Sequence, residues 1–181
     1  MQQSITIHRR QVSSVDGLVF LAERIKMVHL AKGIGVFPSN LTNYIKGHLD
    51  CGRATRLPDK YIAPANEYAN SIGQQLMQVR ITGDDALRQL KSLGKIISLP
   101  YIFQHCMRWE EWRIKERLSD KRRAMYGRFT DSELSEINTH IISLAIQLIE
   151  IEIVGTEQKN ADEELGDERL VQGACKVSVP E

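Results

Sequence analysis

From Val15 onward, apolar residues recur every three to four positions, through Leu18, Val19, Ala22, Ile25, Val28 and Leu30. That spacing predicts one continuous amphipathic helix, with Ser13 and Ser14 before it and Asp16 near its start. Gly33 and Gly35 mark its end. Pro38-Ser39-Asn40 opens a second helix, with Leu41, Tyr44, Ile45 and Leu49 on its apolar side. Gly52, Pro58 and Pro64 punctuate a loop-like stretch, and a short helix is expected up to Gly73. The period then changes to two: Met77, Val79 and Ile81 alternate with Gln78, Arg80 and Thr82, as in a strand with one apolar and one polar face. Gly83-Asp84-Asp85 breaks that strand and starts a helix with Leu87, Leu90 and Leu93 on one side, stopped by Gly94. Ser98 is the expected cap of a further helix running through Trp109 and Trp112 to about Leu118. Thr130 and Glu133 have the spacing of a capping box and open a long apolar helix from Asp131 to Val154. No repeat stands out along the chain.

Composition narrows the picture. The 181 residues suit one domain, or one with an appended piece, and carry a near-neutral net charge of +1, less basic than many nucleic-acid binders. Basic residues nevertheless gather between Arg108 and Arg128, with Lys121-Arg122-Arg123 as a compact cluster, and the stretch after Gly155 turns acidic. Cys51, Cys106 and Cys175 lie far apart and the five histidines have no metal-ligand spacing, so neither a disulfide framework nor a metal site is expected. No leader peptide or membrane span is read, and a cytoplasmic setting with reduced thiols is expected. No nucleophile elbow, phosphate loop or dinucleotide glycine pattern occurs, so no enzyme, catalytic residue or cofactor is expected.

The order strand, short helix, turn, longer helix has a physical logic. A lone strand with one apolar face is unstable, but two copies pairing antiparallel across a dimer axis form a ribbon that fits the DNA major groove. Val79 and Ile81 would then form the dimer core, and Gln78, Arg80 and Thr82 would face base edges. The backbone near Ser98 would meet a phosphate, and Lys121, Arg122 and Arg123 would grip flanking phosphates. The stretch QVRITGDDALRQLKSLGKIISLPYIFQHCMRW resembles the ribbon-helix-helix family of repressors and plasmid regulators. It departs from that family in a short first helix and in a turn reading Gly94-Lys95-Ile96-Ile97-Ser98. The resemblance implies a homodimeric, sequence-specific regulator of double-stranded DNA. With flanks this large, it points toward transcriptional activators of conjugative plasmids that work with the transcription machinery.

A rival reader precedes it. AERIKMVHLAKGIGVFPSNLTNYIKG looks like a helix-turn-helix, with Ala22–Lys32 as supporting helix and Gly35-Val36 as turn. Ser39, Asn40, Thr42 and Asn43 would face base edges, with Lys46 near phosphate. This stretch also resembles the flagellar master-regulator family, whose zinc-binding cysteine cluster is absent here. The expected architecture is therefore mainly α, with one short strand pairing across a dimer. A helical region spans 1–73, a ribbon-helix-helix region 74–129, a packing or oligomerisation helix 130–155, and an acidic tail 156–181. The competing class is a helical interaction scaffold without affinity for DNA, which the near-neutral charge favours.

Overall fold

A computed structural model describes residues 9–51, 57–119 and 128–155, and of 46–51 the backbone alone. The protein is mainly helical, with one small parallel sheet. Strand β1 (Arg10–Ser13) leads into α1 (Ser14–Arg24), α2 (Met27–Ile34) and α3 (Pro38–Cys51). A 3-10 turn at Asp59–Tyr61 starts α4 (Ile62–Met77), followed by α5 (Ala86–Leu93) and a π-helical turn at Tyr101–Cys106. Then come α6 (Glu111–Arg117), α7 (Asp131–Glu150) and β2 (Ile151–Val154), which pairs parallel with β1. One apolar cluster, including Leu21, Ile25, Leu90, Phe103, Ile137 and Ile141, runs through both halves.

Local chemistry sets the helix ends. The Ser13 hydroxyl accepts the Asp16 N–H at 3.1 Å and caps α1. The capping box at α7 is present in full: the Glu133 N–H donates to the Thr130 hydroxyl at 3.2 Å, and the Thr130 N–H donates to the Glu133 carboxylate at 2.9 Å. Helix α5 forms with Leu87, Leu90 and Leu93 buried, and Gly94 caps its end.

Helices α4 and α7 pack as an antiparallel pair, and around them the two halves of the chain correspond. The Asn138 amide on α7 holds both main-chain groups of Ile81, accepting its N–H at 2.8 Å and donating to its carbonyl at 2.9 Å. The Asn66 amide on α4 does the same for Ile153, at 2.8 and 2.9 Å. In each half the Gln side chain donates to a Ser one turn back, Gln75 to Ser71 and Gln147 to Ser143, both at 3.4 Å. Every one of these pairs lies 72 positions apart. So do Ile25 and Ile97, which face each other in an isolated antiparallel bridge. The bridge is symmetric, with Lys26 N–H donating to the Ile96 carbonyl at 2.9 Å and Ser98 N–H to the Arg24 carbonyl at 2.8 Å. An approximate two-fold axis therefore passes between Ile25 and Ile97. The sequence, read as repeat-free, contains a structural repeat after all.

Several expected elements take another form. The helix expected from Val15 to Leu30 is two helices, because Ile25 adopts extended backbone (φ −113°, ψ 138°) to make the bridge. The helix expected from Ser98 to Leu118 is broken at Met107–Glu110, where Arg108 has a positive φ of 58°. Trp109 and Trp112 consequently part company: Trp109 is buried and Trp112 is 59% exposed. Helix α7 stops at Glu150, and Ile151–Val154 becomes β2. The boundary drawn between residues 73 and 74 falls inside α4.

The expected strand at Met77–Thr82 is not a strand of this chain. Met77 is the last residue of α4 and Gln78 is helical in backbone. Alternation survives from there: Val79 is half-buried and Ile81 is 2% exposed, while Arg80 and Thr82 face solvent. Ile81 fills the chain's own core, and Asn138 already satisfies its main chain. Elsewhere in the segment the Gln89 amide oxygen accepts the Thr82 N–H at 3.1 Å, and Arg80 donates to the Val79 carbonyl at 2.7 Å. The symmetry-related segment, β2, instead has β1 beside it.

Candidate nucleic-acid interface

Helices α2 and α3 are joined by a tight left-handed turn. Gly35 has φ 81° and ψ 29°, its N–H donates to the Lys32 carbonyl at 3.3 Å, and the Val36 N–H reaches back to the Ala31 carbonyl at 2.9 Å. This pair of bonds closes the helix and reverses the chain, and a glycine takes the backbone angle without steric cost. Leu30, Ala31 and Ile34 of α2 and Leu41 of α3 are buried, with Val36, Tyr44 and Ile45 packed against them. Helix α1 packs on both. On the far side of α2, Gly33 lets the Tyr68 ring of α4 lie against the helix backbone, where a methyl group would collide with it. The unit is thus an eight-residue helix, a glycine turn and a second helix, held from below by α1 and α4.

The outer face of α3 is open. Phe37 is 76% exposed, and Pro38, Ser39, Asn40 and Asn43 are also exposed. Thr42 is half-buried, its hydroxyl donating to the Pro38 carbonyl at 2.8 Å. Ser39, Thr42 and Asn43 stand three to four positions apart, so they share one helix face. Lys46, a further turn along, has its side chain outside the described residues. Asn can engage adenine with two hydrogen bonds, and Ser and Thr can meet several base edges. Lys26 and Lys32 are exposed beside α2, where they can meet phosphates. The sequence placed the supporting helix at Ala22–Lys32. It is Met27–Ile34, because the Ile25 bridge resets its start.

The other expected DNA contacts scatter. Gln78, Arg80 and Thr82 are exposed, on the far side of the Gly83 turn from α5. Ser98 offers no main-chain donor for a phosphate, because its N–H is bound to the Arg24 carbonyl. Lys121, Arg122 and Arg123 lie outside the described residues. Of the neighbouring cations, Arg113 and Arg117 both bind the buried Glu133 carboxylate, at 3.1 and 2.9 Å, with the Arg113 side chain still 42% exposed. Burial alone would raise the Glu133 carboxyl, but the Thr130 N–H and the two guanidinium groups outweigh it and hold it below the usual range.

Near the two-fold axis, Arg24 is held between aromatic rings, 3.6 Å from the Phe20 centroid and 4.4 Å from that of Tyr101, and it donates to Gln147 at 3.1 Å. This cation serves the junction of the halves and not the outer surface. Cys106 is half-buried, and burial raises its thiol pKa against the lowering effect of Arg24 and Arg108. Among the described residues no three His, Cys, Asp or Glu side chains gather as a metal site, and no helix is long and apolar enough to cross a membrane. No family model, curated protein or solved structure matches the chain.

Proposed function

We propose that the protein is a sequence-specific regulator that binds double-stranded DNA, with α3 as the helix that enters the major groove. The observation that carries this reading is the α2–Gly35–α3 unit, whose buried positions lock the two helices while a neutral, hydrogen-bonding face on α3 is left uncovered. Such a face reads base edges, and the cations beside it supply the salt-dependent grip on phosphates. The full-length protein is tested on a duplex selected from random sequence. Asn43→Ala lowers affinity for that duplex by about tenfold or more, the worth of one good base contact, and leaves affinity for unrelated duplex unchanged. Unchanged affinity for the selected duplex sinks the reading. Arg80→Ala, run alongside, separates it from recognition by a ribbon at Met77–Thr82. A loss there with Asn43→Ala silent favours the ribbon.

Regulation of conjugation genes and action as a homodimer belong to the same proposal, and so does the partnership with the transcription machinery. A scaffold without DNA affinity is the competing class, and complete absence of retention on DNA resin at low salt would favour it.

A further inference from the structure

The two-fold correspondence extends to the helix-turn-helix itself. Seventy-two positions after α2 comes the turn Leu99–Cys106, with Ile102 and Phe103 buried where Leu30 and Ala31 are buried in the first half. The π-helical turn adds one residue, the usual effect of a π-bulge, and the offset becomes 73 from there. Arg108 then takes the positive-φ position of Gly35, 58° against 81°. Trp109 stands where Val36 does, and its N–H reaches back to the Phe103 carbonyl at 2.8 Å as Val36 reaches Ala31. Helix α6 starts where α3 starts, and its buried Ile114 matches Leu41. Ile114 N–H donates to the Glu110 carbonyl at 3.2 Å, as Leu41 donates to Phe37 at 3.1 Å.

The outward chemistry differs. Phe37, Pro38, Ser39 and Asn43 of the first unit correspond to Glu110, Glu111, Trp112 and Glu116. Lys115 pairs with Glu111 at 2.6 Å, and Arg113 and Arg117 are paired with Glu133. Carboxylates thus hold the positions that would approach the phosphate-lined groove, while the nearby cations are engaged.

We propose that residues 99–118 form a second helix-turn-helix that its acidic face keeps off DNA, so that each chain brings one working reading head and one silent copy. The proposal rests on α3 being the reading helix. One chain then recognises a single half-site, and a palindromic operator needs two chains despite the internal two-fold.

The test compares variants of the two second helices, in the full-length protein, on the selected duplex and on random-sequence duplex. Ser39→Ala with Asn43→Ala lowers affinity for the selected duplex by about tenfold or more, whereas Trp112→Ala with Lys115→Ala changes it less than about twofold. Comparable losses from both pairs, or a loss from the α6 pair alone, overturn the proposal by showing a working second head. If neither pair matters, the reading of α3 itself has failed and the proposal with it. Glu110→Gln with Glu111→Gln raises affinity for random-sequence duplex at low salt and steepens its salt dependence. No change there overturns the role given to the acids. All substituted side chains are exposed, and circular dichroism confirms that each variant is folded.

Discussion

The two halves of this protein share a skeleton and differ in their fillings. In the first, Ala31 under the turn is small and Gly35 makes the reversal without strain; in the second, Phe103 fills the space below and Arg108 makes the same reversal with a side chain attached. In the first, Tyr61 stands at the position that Glu133 occupies in the second, where it binds two arginines. The fold constrains the buried positions and the hydrogen bond by which the residue after the turn reaches back to the first helix. It leaves the outward face of each second helix to diverge, and that freedom is where function enters.

Phe103 sharpens this contrast most. It is fully buried and stacks on Trp109 with ring centroids 5.0 Å apart, so Phe103→Ala destabilises the fold by about 4 kcal/mol. Ala31→Gly, at the matching place, costs about 1 kcal/mol, mainly through helix propensity. Denaturant titration measures both, and equal losses would break the idea that the second turn depends on its aromatic pair.

Glu133 comes next. Glu133→Gln leaves two arginines without their shared carboxylate and costs about 3 kcal/mol. Its folded pKa lies below the ordinary glutamate value. Its contribution is therefore complete above pH about 4.3 and is lost as pH falls through the lower, folded value. The wild type loses stability across that acid window, and the variant shows a flatter profile there. Parallel profiles would remove Glu133 from the account.

The smallest effect lies in the turns and has opposite signs in the two halves. Gly35→Ala costs about 1 kcal/mol, because a side chain enters left-handed backbone. Arg108→Gly relieves the same strain and gains at most about 1 kcal/mol, part of it offset by the freer unfolded chain. Thermal melts of the two variants moving in the same direction would contradict the equivalence of the turns.

Much of the helical pattern was legible in the sequence. The Ser13 cap, the Thr130–Glu133 box and the leucine spacing of α5 are local signals, and each is present. Breaks made by distant partners were not legible. Nothing near Ile25 announces a helix end, since the cause is Ile97 across the axis. The alternation at Met77–Thr82 survives as a pattern of exposure, with Ile81 buried between exposed Arg80 and Thr82, in a segment that corresponds to β2 but is not a strand within this chain. The repeat was hidden because few identities survive, among them Asn66 with Asn138, Ser71 with Ser143 and Gln75 with Gln147. Their meaning appears only when the amides are seen holding equivalent main chain. On α3, Ser39, Asn40 and Asn43 are exposed as expected and Thr42 is half-buried, whereas the supporting helix was misplaced by the same bridge.

The parallel pairing of β1 with β2 has a mechanical consequence. Arg10 aligns with Ile151 and Ser13 with Val154, so the chain enters at one end of the pair and leaves at the other. Tension applied through the two ends runs along the strands and loads their hydrogen bonds in shear, all at once, where a hairpin would peel open one bond at a time. The short sheet therefore acts as a clasp, and under pulling the helical body behind it is shielded until that clasp gives way.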